Sequence, residues 1–385
     1  MSQKGKVNHM IYVAVFGSSK WSGLMKEALE NEYSELFVQD GGDAISVGAF
    51  VVLGEPQKDT EISVEEFGRR YAAGELTAIV IPKEYYIQQN ELVLALLRAG
   101  VEVEDIYDGI RLNPQIRNQP EAIAGLITPM LQDPYLPYLE YHVADHCNLN
   151  CKYCTHYSPL VQQPVYTEFD SFTEDLRQLK RYIGDIGVIR ILGGEPLLNP
   201  ELPRFIEFTR KLYPASIITI VTNGMLIDRL EPALLECMKE NMAFFHISFY
   251  PPLEDKVQEI QRFLFEKGIP YTITPMITEF NKTQTLVPQG DEDFFYSCFQ
   301  ATCTCLHNGK AAPCYTPFTT KYFNAAFGQE LPADEGVDLY DETMTAPMLK
   351  ALLLVPMRRC RYCTEGKACA WEIVGKNSVL EDWVE

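Results

Sequence analysis

CNLNCKYC, residues 147–154, places three cysteines, Cys147, Cys151 and Cys154, within eight residues. Thiolates are soft ligands that suit iron–sulfur clusters and zinc. Structural zinc sites usually use paired C-x-x-C units and four protein ligands, so a lone triplet fits such a site poorly. Three thiolates on a four-iron cluster leave one iron free to bind a substrate or a cofactor. The stretch therefore predicts a 4Fe-4S cluster with an open coordination position.

A glycine-rich turn, GGEP at residues 193–196, follows the next predicted strand, VIRIL. Gly193 and Gly194 let a ligand approach the backbone closely, and Pro196 stiffens the turn. Glu195 is an acceptor suited to a cationic group. Loops at the carboxyl ends of the strands carry the chemistry of parallel (β/α) barrels, so both motifs stand where a catalytic site is expected.

CxxxCxxC followed by GGEP resembles the radical S-adenosylmethionine (radical SAM) superfamily, over residues 138 to about 285. The resemblance implies that Cys147, Cys151 and Cys154 hold the cluster and that S-adenosylmethionine binds its open iron. It also implies that one electron from the cluster breaks a C–S bond, and that a 5′-deoxyadenosyl radical takes hydrogen from the substrate. We therefore expect an enzyme, either an oxidoreductase or an epimerase.

The same resemblance implies a set of S-adenosylmethionine contacts. The expected cofactor-binding residues are Tyr153, Gly193, Gly194, Glu195, Asn223 and Ser248. Tyr153 is expected near the adenine, and the GGEP turn near the methionyl amine. Asn223 and Ser248 follow later strands, where the family contacts the ribose and the carboxylate. Polar residues at strand ends also cap the next helix, which is the plain structural alternative for these two.

The C-terminal cysteines resemble the SPASM and Twitch auxiliary-cluster domains. The implied ligands of a second 4Fe-4S cluster are Cys298, Cys314, Cys360 and Cys363. A full SPASM domain carries a further cysteine where Ile373 stands here, so the one-cluster Twitch arrangement fits better. A zinc site is the structural alternative, since zinc also uses C-x-x-C with distant partners.

Four further cysteines have open roles. Either Cys303 or Cys305 could replace Cys298 as a ligand, and Cys369 is left without an assignment. Cys237 stands in the predicted helix LLECMKE, which favours a buried small hydrophobic residue. A hydrogen-donating catalytic thiol is the alternative for Cys237.

Alternating strand and helix patterns predict an α/β protein with three domains. Residues 1–112 are expected to form a small parallel α/β domain of Rossmann or flavodoxin type, and residues 113–137 a linker. Residues 138–285 are expected to form a partial (β/α)6 radical SAM barrel, and residues 286–385 a cysteine-rich auxiliary-cluster domain of short irregular segments. The first turn of the N-terminal domain, GSSKWSG, lacks G-x-G-x-x-G spacing, which favours a docking or regulatory role without a nucleotide.

The composition narrows the class of partner and the compartment. The net charge of −20 argues against nucleic acid and against an anionic membrane surface, and no apolar run reaches eighteen residues. The N-terminus reads as a strand, which predicts a cytoplasmic protein. In a reducing compartment, eleven mostly clustered cysteines indicate metal binding rather than disulfides.

The substrate is the least determined expectation. SPASM and Twitch relatives act on ribosomal peptides or on small hydroxylated molecules, and the N-terminal α/β domain resembles those of sugar-processing enzymes. CNLNCKYCTHYSPL is also similar to radical SAM proteins of carbohydrate pathways. We expect a sugar-like small molecule that is dehydrogenated or epimerised, and a flavodoxin- or ferredoxin-type electron donor. The alternatives are a peptide-modifying enzyme and a non-catalytic iron–sulfur or zinc scaffold.

Overall fold

The structure is a computed structural model that describes residues 10–32, 44–83, 86–109, 127–289, 293–374 and 378–385. The chain divides into two compact units, Met1–Asp133 and Pro134–Glu385. Residues 113–126 of the expected linker lie outside the described residues. Within the described ranges, no helix has both the length and the apolar character needed to cross a membrane.

The first unit is built on a six-stranded sheet with the order β3-β2-β1-β4-β5-β6. Its strands are β1 Met10–Phe16, β2 Ala44–Val52, β3 Glu61–Ser63, β4 Ala78–Ile81, β5 Ile106–Asp108 and β6 Thr128–Pro129. All neighbours pair in parallel except β5 and β6. The helices are α1 Lys20–Glu32, α2 Val64–Ala72 and α3 Tyr86–Arg98. Helix α2 begins after Ser63, whose hydroxyl caps it by accepting the Glu66 N–H at 3.3 Å.

The second unit is built on an eight-stranded sheet with the order β11-β10-β9-β8-β7-β13-β14-β15. Five strands follow one another in parallel: β7 Tyr135–Ala144, β8 Asp185–Gly193, β9 Ile217–Thr222, β10 Ala243–Ile247 and β11 Tyr271–Ile273. Between them lie α4 Phe169–Lys180, α5 Leu202–Leu212, α6 Pro232–Glu240 and α7 Val257–Lys267. All ten residues of β7 are buried, as expected for a central parallel strand covered on both faces.

The observed sheet differs from the predicted (β/α)6 barrel in the identity of the strand that pairs with the outer side of β7. That neighbour is β13 Cys305–His307, which belongs to the C-terminal region and pairs in parallel with β7. It continues into β14 Lys310–Ala312 and β15 Val337–Asp338. The strand that follows β11 along the chain, β12 Glu279–Gln284, pairs instead with β16 Cys363–Ala370. In the part of the chain that the structure describes, a sixth barrel strand in sequence order is therefore absent.

The C-terminal region is more regular than the short segments that the sequence predicts. It contains the twelve-residue helix α8 Thr316–Phe327 and the shorter α9 Ala346–Leu352. Helix α8 ends at Gly328, whose positive φ of 61° suits a glycine cap. Six of its residues are buried, and among them Phe318 and Phe323 belong to two buried apolar clusters, one of which also contains Tyr157 and Leu160.

Candidate active site

The cysteine loop begins where β7 ends, and the GGEP turn packs directly beneath it. The Gly194 N–H donates to the Ala144 carbonyl at 2.7 Å, and the Glu195 N–H donates to the His146 carbonyl at 3.0 Å. A Cβ atom on Gly193 would lie 1.9 Å from the Ala144 oxygen, and one on Gly194 would lie 2.3 Å from the His146 oxygen. The two glycines therefore admit the backbone of the cysteine loop, and their expected contact with a ligand stays a prediction.

The three thiols of the loop differ in exposure, and all three are shifted toward the protonated form. Cys151 is buried and Cys147 and Cys154 are partly exposed, and the Leu149 N–H donates to the Cys147 sulfur at 3.4 Å. Burial raises the pKa of each thiol, that of Cys151 to about 12. Among the described residues, no three His, Cys, Asp or Glu side chains converge on one ion position. Cluster thiolates bind different irons, so three thiols on one loop need not converge on a single point to hold a 4Fe-4S cube.

Glu195 is fully buried, and its carboxylate holds the neighbouring turns together. It accepts hydrogen bonds from the Leu197 N–H at 3.0 Å, the Thr222 hydroxyl at 2.8 Å and the Asn223 N–H at 2.9 Å. Burial raises its pKa to about 7, against the lowering effect of these donors. A carboxylate offers about four acceptor positions, so one further donor can still be accommodated.

Asn223 and Ser248 lie at the same edge of the sheet as the cysteine loop, because they follow the parallel strands β9 and β10. The Asn223 side-chain amide donates to Asn148 at 2.8 Å and to the Cys147 sulfur at 3.5 Å. The Ser248 N–H donates to the Thr222 carbonyl at 2.9 Å. Asn223 thus touches the first cysteine of the loop, a contact that the sequence analysis did not foresee.

Tyr153 stands between the second and third cysteines with a positive φ of 60°. The ammonium of Lys282, on β12, lies 5.1 Å from the centre of its ring. The thiol of Cys369, on β16, also lies beside Tyr153. The unassigned Cys369 is therefore a neighbour of the first cysteine loop.

The C-terminal segment pairs with the cysteine loop through its backbone. The Val374 N–H donates to the Asn150 carbonyl at 2.7 Å, and the Lys152 N–H donates to the Glu372 carbonyl at 2.8 Å. Between these bonds, Ile373 forms an isolated antiparallel bridge with Cys151. Ile373 stands where a full SPASM domain would carry a cysteine, and here its backbone pairs with the first cysteine loop.

Four cysteines of the C-terminal region line one cavity of about 490 Å³ together with Cys154. They are Cys298, Cys314, Cys360 and Cys363, and each is partly exposed. Burial, together with the neighbouring thiols Cys363 and Cys298, raises the pKa of Cys360 to about 12. The Met357 N–H donates to the Cys360 sulfur at 3.4 Å. The donor set and its N–H contact suit a second metal–thiolate centre.

Cys303 and Cys305 lie elsewhere, near β7. The thiol of Cys303 is close to Glu140 and Tyr138. Cys305 is fully buried, and its thiol donates to the Cys303 carbonyl at 2.8 Å. Neither residue lines the cavity, so the arrangement favours Cys298 over both as the fourth ligand.

Cys237 lies on helix α6, and its thiol contacts the Pro203 carbonyl at 3.5 Å. It is buried and belongs to the main apolar core. It is not among the described residues that line the cavity. These contacts favour the structural interpretation of Cys237 over the hydrogen-donor one.

Arg359 is a site residue that the sequence analysis missed. It directly precedes Cys360 and is almost fully buried, and its guanidinium donates to the Cys363 sulfur at 3.3 Å. Burial opposes the charge of the guanidinium, yet Cys363, Tyr157 and Cys314 raise its pKa above the ordinary value. The only signal in the sequence was that Arg359 directly precedes Cys360. Arg358 and Arg361 are also next to this pair of residues, and no sequence pattern distinguishes Arg359 from them.

Residues 141–273 match the family model described as the radical SAM superfamily. The chain carries a radical SAM domain. The superfamily uses a 4Fe-4S cluster and S-adenosylmethionine, and the cysteine loop and the GGEP turn lie within the matched residues. The radical SAM recognition made from these two motifs is thereby confirmed.

Curated relatives match part of this chain over part of their own length. The chain is 35% identical over 97 residues to GTP 3′,8-cyclase of Clostridium acetobutylicum, which covers 25% of this chain and 30% of that protein. It is 33% identical over 128 residues to molybdenum cofactor biosynthesis protein 1 of Bos taurus, covering 32% of this chain and 19% of that protein. The chain thus spans a third or less of the length of these two relatives.

Solved structures show only slight likeness. BtrN in complex with AdoMet and 2-DOIA matches with a TM-score of 0.39 and 16% identity, over 60% of this chain and 92% of that chain. Native anSMEcpe with bound AdoMet matches with a TM-score of 0.28 and 20% identity, over 35% of this chain and 43% of that chain. Likeness at this level bears on neither the fold nor the substrate.

Proposed function

We propose that the chain is a radical SAM enzyme that abstracts hydrogen from a small, carbohydrate-type substrate bound in the cavity of about 490 Å³. The observation that carries the proposal is the lining of this cavity, which includes Cys154 of the radical SAM loop and the four C-terminal cysteines. When bound, the cluster and S-adenosylmethionine supply the 5′-deoxyadenosyl radical that starts the reaction. A substrate in this cavity would lie against both cysteine sets.

The residues proposed to hold the cofactors converge at the carboxyl ends of β7 to β10. Cys147, Cys151 and Cys154 would bind the first cluster. Tyr153, the GGEP turn, Asn223 and Ser248 would contact S-adenosylmethionine. The contact between Asn223 and the Cys147 sulfur supports this assignment, because it places a polar side chain of the cofactor set directly beside a cluster ligand.

The character of the cavity supports a substrate without phosphate groups. Of the described residues that line it, none is Lys or Arg, and one is the acidic Glu365. A nucleoside triphosphate would need cationic partners at this point. Aromatic rings such as Tyr250 and Phe280 stand beside Asn281, Thr283 and other polar side chains. A hydroxylated molecule can pack its apolar face on the rings and bond its hydroxyls to the amide and hydroxyl groups.

The four C-terminal cysteines are proposed to hold an auxiliary 4Fe-4S cluster. A cluster at this position would supply an electron acceptor beside the substrate, which favours dehydrogenation over epimerisation. A flavodoxin- or ferredoxin-type protein is proposed as the electron donor of the first cluster.

Turnover in deuterated water should separate the two outcomes. Dehydrogenation removes a second hydrogen as a proton and an electron, so we expect an oxidised product without deuterium at the reacting carbon. Epimerisation returns a hydrogen atom, often from a thiol that exchanges with solvent, and would leave deuterium there. A panel of sugars and aminocyclitols and, in parallel, a peptide library serve as candidate substrates. Mass spectrometry of the products shows which class of substrate is consumed and whether the product carries deuterium. Consumption of peptides alone would contradict the carbohydrate proposal.

Glu195→Gln is expected to weaken S-adenosylmethionine binding at least tenfold while the absorption of the first cluster persists. The change removes a charge that the methionyl amine would meet, and charge-assisted hydrogen bonds contribute about 1.5–3 kcal/mol. It also replaces one carboxylate oxygen with an NH₂ group that cannot accept, so the hydrogen bond from either Thr222 or Asn223 is lost and the melting temperature should fall as well. Equilibrium binding and thermal melts measure the two effects.

Glu201→Gln is the matched control for this change, because Glu201 is exposed and pairs with Arg204 on the following helix. It should leave both quantities at the parent values. An S-adenosylmethionine affinity equal to that of the parent in Glu195→Gln would contradict the assignment of this carboxylate to the cofactor site.

A further inference from the structure

The side chain of Arg359 carries a positive charge into the protein interior with only 1% of its surface exposed. Its guanidinium donates to the Thr320 hydroxyl at 2.9 Å, to the Tyr157 hydroxyl at 3.2 Å and to the Gln284 side-chain oxygen. All three partners are neutral. The fourth partner is the Cys363 sulfur at 3.3 Å.

A buried cation without a counter-charge is strongly unfavourable. Within the described part of the chain, no carboxylate bonds to this guanidinium. Glu335 lies nearby, but it accepts the Arg359 backbone N–H at 2.9 Å and pairs with the side chain of Arg358. Burial raises the pKa of Tyr157 to about 12, so the one partner that can carry negative charge near neutral pH is the sulfur.

We infer that Arg359 is the counter-charge of a metal–thiolate centre held by Cys298, Cys314, Cys360 and Cys363. The inference rests on the auxiliary site of the proposed function and gives it a positioning residue. Metal-bound cysteines are thiolates, so four of them bring a net negative charge to the centre. A buried guanidinium that donates to one of these sulfurs balances that charge.

Arg359 also joins this centre to the radical SAM loop. Its partner Tyr157 lies three residues after Cys154 and donates to Gln284 at 2.7 Å, and the Tyr157 N–H donates to the Cys154 carbonyl at 2.9 Å. The guanidinium thus links the two cysteine sets, because it donates to Cys363 on one side and to Tyr157 on the other. Its loss should loosen the metal at the C-terminal site first, because only that contact is ionic.

The test compares three full-length variants after anaerobic reconstitution. Arg359→Gln removes the charge, Arg359→Lys retains it, and Arg358→Gln removes a neighbouring charge whose side chain is 81% exposed. We expect about 10- to 100-fold faster loss of one cluster's iron to a chelator in Arg359→Gln, as for other residues that support metal ligands. Arg359→Lys should recover part of the retention, and Arg358→Gln should match the parent.

A dithionite titration followed by electron paramagnetic resonance gives a second readout. Each centre takes up one electron from dithionite, and the missing positive charge should move the potential of the C-terminal centre to a more negative value in Arg359→Gln. Arg359→Lys should lie between this value and that of the parent. Arg359→Met provides another neutral side chain if the glutamine variant does not fold.

The outcomes separate this inference from the auxiliary cluster itself. Two clusters whose iron release and potential are unchanged in the neutral variants would overturn the inference alone. A parent protein with no metal at the four cysteines would overturn the inference and the auxiliary site together. Zinc whose retention depends on Arg359 would support the counter-charge and overturn the auxiliary cluster.

Discussion

Cys151→Ala is expected to abolish reductive cleavage of S-adenosylmethionine. Cys151 is the most buried thiol of the radical SAM loop, and its backbone is bridged to Ile373. Loss of one of three thiolates leaves the cluster too weakly held to survive purification. The release of 5′-deoxyadenosine under dithionite, measured by chromatography, should fall to the background of the assay.

Asn150→Ala is the matched control for this loss, because its side chain is exposed on the same loop and its carbonyl bond to Val374 is retained. It should keep the iron content and the cleavage of the parent. Undiminished cleavage in Cys151→Ala would remove the triplet from the active site.

The double variant Cys360→Ala, Cys363→Ala is expected to lose substrate turnover while S-adenosylmethionine cleavage survives. We expect the iron content to fall from about eight to about four atoms per chain, one cube in place of two. The radical SAM loop keeps its three ligands, so the first cluster stays. Iron analysis, cleavage without substrate and product formation measure the three effects separately.

Cys303→Ala provides the comparison for iron content, because its thiol lies near Glu140 and not at the cavity. It should retain both clusters. Loss of iron in Cys303→Ala but not in a Cys298→Ala variant would reassign the fourth ligand. Some loss of solubility in the double variant is also expected, since a metal-held region loosens without its metal.

The sequence predicted the local architecture of the radical SAM domain well. The α/β alternation, the strand VIRIL and the helix LLECMKE are present, because each depends on hydrophobic periodicity over a few residues. The partner of β7 was beyond prediction. Its pairing with β13 joins Glu140 to Cys305, residues far apart in the chain, and no local pattern encodes such a contact.

The roles of individual site residues show the same division. Spacing alone marked Cys147, Cys151 and Cys154 as a ligand set, because all three lie on one short loop. The sequence also marked the glycines of the GGEP turn as site residues. It did not show that a side chain at either position would collide with the backbone of the cysteine loop. Glu195 was marked as an acceptor, while its three internal donors come from two separate turns.

Ligand identity and ligand spacing are local properties, so the sequence by itself determined that this chain carries a radical SAM motif and a second group of cysteines. Only the tertiary structure decided which distant thiols share a cavity. It brings Cys298 and Cys314 to Cys360 and Cys363, and leaves Cys303 beside β7. It also selects Arg359 from three neighbouring arginines, because burial against a sulfur depends on how helix α8 and strand β12 pack around it.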